Sequence, residues 1–233
     1  MASAARAHFG DFLPRGVLPI GVPVCFARME PMSSEFGVPE PESLAAMHGE
    51  SPIAETSVRL ALPAEANAIG EVQVAAWRRA YEGVLPADVL LDLNPAQFAA
   101  QWRAALLSPG EARNRVLVAL AGRDLVGFAA ITPSDDPDGD PRKDALIAEL
   151  AVKPEATRAG HGSRLLNAVV DTARADGFSR VTVWVTSTDD VLRAFYTDAG
   201  WAPDGAHREL DLYGDGSVRI KQVRLHAAPG TDD

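Results

Sequence analysis

The passage from Ala145 to Gly177 limits the possible folds most, because strand, glycine-bearing turn and amphipathic helix follow one another there without a break. Ala145 to Val152 is an apolar run of strand length, and beyond Gly160-His161-Gly162 the residues Leu165, Leu166, Val169, Val170 and Ala173 fall on one helical face. Gly177 supplies the residue type that most readily ends a helix in the left-handed conformation. A helix with a single apolar stripe has to lie against something, and a strand joined to it by a short turn points to a sheet.

The neighbouring segments extend that pattern. Val58, Leu60 and Leu62 alternate with Arg59 and Ala61 as in a half-buried strand. Pro63 suits a first helical position, opening a helix to about Tyr81. A second helix is expected from Pro86-Ala87-Asp88 through Phe98 and Trp102 to Leu107, ended by Ser108-Pro109-Gly110. Strands are expected at Val116 to Ala121 and Leu125 to Thr132, turning at Gly122-Arg123-Asp124, and an acidic loop at Pro133 to Pro141. After the central helix come a strand from Val181 to Thr186, a short helix from Asp189 to Ala199 stopped by Gly200, and strands near His207 to Leu212 and Arg219 to Leu225. The order βααβββαβαββ argues for one central sheet with helices on both faces, against a sandwich or a bundle.

The first quarter of the chain has a different texture. Pro31, Pro39, Pro41 and Pro52 alternate with Glu30, Glu35, Glu40, Glu42, Glu50 and Glu55, a composition that resists a packed core. Arg15 before the apolar run Gly16 to Ala27 resembles a short signal-peptide core, but Pro19 and Pro23 interrupt it and it falls short of the about 20 residues a membrane span needs. We expect a flexible leader over residues 1–56, one domain over 57–226 and a disordered tail over 227–233, with Met32 and Met47 as alternative starts. The 22 Lys and Arg against 32 Asp and Glu give a net charge of -10, which disfavours nucleic acid and anionic membranes and favours a cationic acceptor. A lone Cys25 forms no internal disulfide, which suits the reducing cytoplasm, and the absence of Cys-x-x-Cys or His-Glu-x-x-His spacing predicts no metal.

The chemistry is expected where strand becomes helix. Helical amides in a first turn lack internal partners, the dipole adds positive character, and Gly160 and Gly162 let a phosphate approach the backbone. An ordinary strand-to-helix turn is the plainer alternative. The stretch Thr157-Arg158-Ala159-Gly160-His161-Gly162 resembles the pyrophosphate loop of the GCN5-related N-acetyltransferase (GNAT) family, Gln/Arg-x-x-Gly-x-Gly/Ala, with Thr157 departing at the first position. Phe195-Tyr196-Thr197-Asp198-Ala199-Gly200-Trp201 resembles the same family's Phe-Tyr-x-x-x-Gly-Phe/Trp phrase, and Trp77 to Pro86 is similar to its bacterial members. The resemblance spans about Val58 to Leu225.

What it implies is an α/β (α+β) fold, with a mixed, mostly antiparallel central sheet of about seven strands flanked by helices on both faces. It further implies transfer of an acetyl or other short acyl group from acetyl-CoA to a primary amine, by direct attack in a ternary complex. By that resemblance Leu150, Ala151 and Val152 lie on a strand that splays from Val181–Thr186 and offers its backbone to the coenzyme, with simple ladder pairing as the alternative. Thr157, Arg158, Ala159, Gly160, His161, Gly162 and Ser163 would line the phosphates, His161 as a loop residue, and Asp189 stands where many relatives carry a coenzyme-contacting Asn. Tyr196 is the candidate general acid toward the coenzyme sulfur, or else a packing aromatic beside Phe195. Glu149 is the candidate base, or else a solvated edge residue. Trp77, Tyr81, Asp88 and Trp102 are candidate acceptor walls, while His207 and Asp211 read as surface residues of late strands. The departures at Thr157 and Asp189 keep a non-catalytic acyl-CoA sensor open. A dinucleotide fingerprint fails because Leu165 stands where its third Gly belongs. The acceptor would be a small molecule or a peptide, and a homodimer is compatible with the resemblance.

Overall fold

The structure, a computed structural model, describes residues 55–212, 216 and 218–230. Residues 1–54, most of the expected leader, and 231–233 lie outside them.

Seven strands, β1 (Thr56–Leu60), β2 (Arg115–Ala121), β3 (Asp124–Pro133), β4 (Asp144–Val152), β5 (Arg180–Thr186), β6 (Ala202–Asp211) and β7 (Arg219–Ala227), form one sheet in the order β1-β2-β3-β4-β5-β7-β6. All neighbours are antiparallel except β4 and β5, whose parallel pairing is bridged by helix α4 (His161–Ala175). Helices α1 (Ala66–Ala80), α2 (Ala87–Leu91) and α3 (Pro95–Leu107) follow β1, and α5 (Asp190–Asp198) follows β5. Among the described residues no helix is long and apolar enough to cross a membrane.

The order therefore contains one helix more than the periodicity predicts. The segment expected as a single helix to Leu107 breaks between α2 and α3, because Asn94 accepts the Ala96 N–H at 2.9 Å as an N-cap and Pro95 takes the first helical position. The hairpin at Gly122 closes as expected, with Ala121 opposite Asp124 and Gly122 at φ 59°.

The sheet buries both faces against separate cores. On one, α4 and α5 set Leu165, Leu166, Val169 and Tyr196 against Ile131, Ile147, Val183 and Val185. On the other, α1 and α3 set Ile69, Val72, Trp77 and Trp102 against Val118, Phe128 and Ala130. Gly70 permits the α1–α3 contact, since a Cβ there would stand 2.6 Å from the Pro95 carbonyl oxygen. Trp102 belongs to this second core, where its indole donates to buried Gln73 at 2.7 Å.

α1 and α3 cover only the strands up to β4. Over β5 and β7 the same face is covered by the acidic β3–β4 loop, tied down by Arg224. This buried guanidinium donates to Asp136 at 3.0 Å, to Asp138 at 2.7 Å and to Asp204 at 2.7 Å. Trp184, opposite Arg224 in the ladder, donates to Asp136 at 3.0 Å, and Arg180 pairs with Asp204. Each buried charge here has partners, the condition under which such charges are tolerated.

Candidate active site

The site begins with an irregularity in β4. Its register against β3 places Ile147 opposite Ile131 but Glu149 opposite Ala130, so Ala148 is an extra residue in the strand. Ile131 and Ile147 belong to the α4 core and Ala130 to the α1 core. Regular alternation from Ile147 would turn Glu149 toward α4; the bulge turns it toward α1 instead. There its carboxylate accepts from the Trp77 indole N–H at 3.2 Å.

The bulge coincides with a parting of strands. β4 and β5 pair from Asp144↔Arg180 to Ile147↔Val183 and no further, after which β5 stays with β7. Lys153 N–H bonds back to the Val126 carbonyl on β3, so antiparallel alternation directs the N–H and C=O of Leu150 and Val152 away from β3, into the gap. Such groups, left without a strand partner, are available to an amide-bearing ligand.

A cavity of about 100 Å³ occupies the gap, and its lining includes Glu149, Leu150, Tyr81, Tyr196, Trp184 and Arg208. Enclosure raises the Glu149 carboxyl to about 7, against which the Trp77 hydrogen bond pulls weakly downward. Tyr196 is buried at 2% exposure, held edge-on between Phe195 and Trp201 at ring separations of 5.2 and 5.3 Å. Burial, and secondarily the charge of Glu149, push its phenol well above the usual range, so it is a proton donor at any physiological pH. Tyr81 is raised by the same two causes and by Asp189.

The expected phosphate turn lies at the far end of the open strand. Gly160 caps α4 at φ 81°, and Arg158 also adopts a left-handed conformation at φ 66°, a strain of order 1–3 kcal/mol for a residue with a Cβ. The first helical bond runs from Arg164 N–H to Gly160, leaving the amides of His161, Gly162 and Ser163 ahead of it. Thr157, Arg158, Ala159, Gly160 and Ser163 are exposed on this turn. The Thr157 hydroxyl donates to Pro154 at 2.8 Å. His161, expected in the loop, is the first residue of α4 with a buried side chain. Asp189 caps α5, accepting the Leu192 N–H at 2.9 Å.

The acceptor walls are only partly those expected from the aromatic spacing. Tyr81 lines the cavity and Trp77 reaches it through Glu149, but Trp102 is core and Asp88 is exposed on α2. Arg208, which no sequence motif marks, also lines the cavity. In β6 the odd-numbered residues from Gly205 to Asp211 point to solvent, leaving His207 and Asp211 outside and Arg208 over the sheet. Its guanidinium lies 4.4 Å above the Trp184 ring and its Nε donates to Gln222 at 2.8 Å. The alternation around Arg208 holds the available clue, since a charged residue falls there on the inner side of an edge strand.

Comparison with known proteins agrees with this geometry. The sequence profile of the Acetyltransferase (GNAT) family matches residues 75–201. The uncharacterized N-acetyltransferase YuaI of Bacillus subtilis is 29% identical over 160 residues, covering 67% of this chain and 84% of that protein. Among solved structures, an N-acetyltransferase from Staphylococcus aureus superposes with a TM-score of 0.59 at 12% identity, covering 76% of this chain and all of that one. The PaiA N-acetyltransferase from Thermoplasma acidophilum, in complex with coenzyme A, superposes with a TM-score of 0.57 at 16% identity, over 74% and 98% of the two chains. With its profile match spanning the α1 aromatics, the parted strands, the Gly160 turn and Tyr196, the chain belongs to the GNAT acetyltransferase family and is an N-acetyltransferase that uses acetyl-CoA as donor.

Proposed function

We propose that the enzyme acetylates a primary amine by direct attack on the thioester, with Glu149 receiving the ammonium proton and Tyr196 protonating the departing thiolate. The observation that carries this reading is the position of the two groups. Glu149 and Leu150, whose backbone has no strand partner on that side, line the same small cavity as the protonated phenol of Tyr196.

The pantetheine arm would add to the free edge of β4 through Leu150 and Val152, with Ala151 packed behind them, as a strand would. One of those N–H groups would stabilise the oxyanion formed on attack. The pyrophosphate would sit on the amides from Ala159 to Ser163, with Arg158 nearby; Thr157 contributes its turn and not its hydroxyl. His161 serves as a packed anchor for the helix end. Asp189 acts through its charge and its cap on α5. Glu149, poised at about 7, suits a base that must be free before attack and must also hold the proton afterwards. The acceptor would be a small molecule or peptide amine, and the reaction would take place in the cytoplasm.

The direct test is thiol release from acetyl-CoA across a panel of small amines and peptides, with coenzyme binding followed by calorimetry. Turnover with an amine supports the reading. Tight coenzyme binding with no turnover on any acceptor would turn it toward an acyl-CoA sensor.

A further inference from the structure

We infer that Arg208 is the carboxylate-binding residue of the acceptor site, and that the acceptor is a small amino acid-like zwitterion carrying a carboxylate beside its amine. The inference rests on the acetyltransfer reading above and names the substrate class of that same cavity.

Two constraints fix the Arg208 side chain and leave one edge of it unused. The Nε is committed to Gln222 at 2.8 Å, and the plane is held 4.4 Å over Trp184. Both Nη groups are without a hydrogen-bond or ion-pair partner among the described residues. A guanidinium held by its inner edge and one face, with its outer fork open, presents the geometry that carboxylates accept in bidentate fashion.

The surrounding charges explain why the partner has to come from outside. Asp136 is nearby, but its oxygens already receive the Trp184 indole N–H and an Arg224 amino group. Asp135 is exposed on the loop and makes no ion pair with Arg208. Every other arginine in this part of the sheet is satisfied: Arg224 by three aspartates and Arg180 by Asp204 and Asp144. Arg208 alone of these three lines the cavity. Its burial disfavours the charged form; the charges of Asp136 and Asp135 offset this only in part, and an incoming carboxylate bonded to the open Nη groups would offset the remainder.

Glu149 lines the same cavity, so the space holds one acidic and one cationic side chain. An ammonium at Glu149 and a carboxylate at Arg208 would use both. The net charge of -10 points toward a cationic acceptor, but that charge lies on the surface, whereas recognition is decided by the groups that face the ligand. A cavity of about 100 Å³ lies below the about 300 Å³ at which pockets for drug-sized ligands begin, so the zwitterion is small.

The test uses the full chain, acetyl-CoA and sets of acceptors that differ only at the carboxylate: an amino acid, its carboxamide and the corresponding decarboxylated amine. The expected result is a kcat/KM for at least one amino acid that exceeds its carboxamide and amine by about 10- to 100-fold. In Arg208→Gln and Arg208→Lys that preference should shrink to within about threefold, mainly through KM, while calorimetric affinity for coenzyme A stays unchanged. Equal turnover of the three forms by the unmodified enzyme would overturn the inference and leave the acetyltransfer reading standing. No turnover with any acceptor would overturn both. Because the first comparison varies only the substrate, it holds even if a variant at Arg208 fails to fold.

Discussion

The two halves of β4 differ more from each other than β4 as a whole differs from its neighbours. From Asp144 to Ile147 the strand pairs on both sides, and the loop beside it is pinned by the Arg224 and Arg180 charge network. From Ala148 to Val152 it pairs on one side only, and the space on the other is lined by a titrating carboxyl, two phenols and a guanidinium. In the first half polar groups are mutually satisfied, and the result is rigidity. The second half leaves backbone and side-chain groups free beside that rigid frame, which is what a binding site requires.

If this division is correct, substitutions in the closed half should cost stability and those in the open half should cost rate. The largest effect is expected for Arg224→Leu, which takes the guanidinium from buried Asp136 and from Asp204, leaving them only Trp184 and Arg180, and should lower unfolding stability by about 3 kcal/mol. Denaturant unfolding checks it, and a loss below about 1 kcal/mol would break the comparison. Tyr196→Phe removes only a hydroxyl and should lower kcat by about 100-fold or more, with coenzyme affinity and melting temperature nearly constant. Steady-state kinetics with calorimetry decides this, and undiminished kcat would remove Tyr196 from the chemistry.

A pH series sharpens the contrast further. Glu149 must be ionised to accept a proton, so kcat/KM should rise with pH through about 7 and then level. The linked stability runs the other way. Because the folded state favours the protonated acid, Glu149 costs stability increasingly as pH climbs from the ordinary 4.5 to about 7. Glu149→Gln should flatten both dependences. The smallest effect is expected for Trp77→Phe: the indole hydrogen bond favours the carboxylate, so its loss should move the acid limb to slightly higher pH. A downward shift would contradict the assigned cause.

Much of the closed architecture was readable because it rests on periodicity. The α4 stripe, the Gly177 and Gly200 stops and the order of strands depend on local patterns that tertiary contacts reinforce. The glycine turn and the Phe195-Tyr196 pair were equally legible, since backbone geometry restricts residue choice there. The features less legible in the sequence have mixed causes, and several depend on contacts between distant elements. The Asn94 cap that splits the second helix lies inside an otherwise continuous apolar pattern. The burial of His161 reflects the packing of the α4 end. Arg208 gains its role from Trp184 and Gln222, on two other strands, and Trp102 is core because α1 and α3 close around it, a contact that aromatic spacing alone does not reveal.

The extra residue at Ala148 has a consequence for how this site tolerates change. Glu149 faces α1 because the strand's parity shifts there, and the same surplus bends β4 where it parts from β5. A chain shortened by that alanine would still aim Glu149 toward α1, now within an unbroken ladder. It would lose the bend, and with it the slot for the donor. Replacing the side chain, by contrast, leaves the count intact. Because Ala148 is buried on the α1 side, only small replacements would be tolerated there, but these keep the bulge, whereas a one-residue deletion would silence the enzyme without removing any group proposed to take part in the reaction.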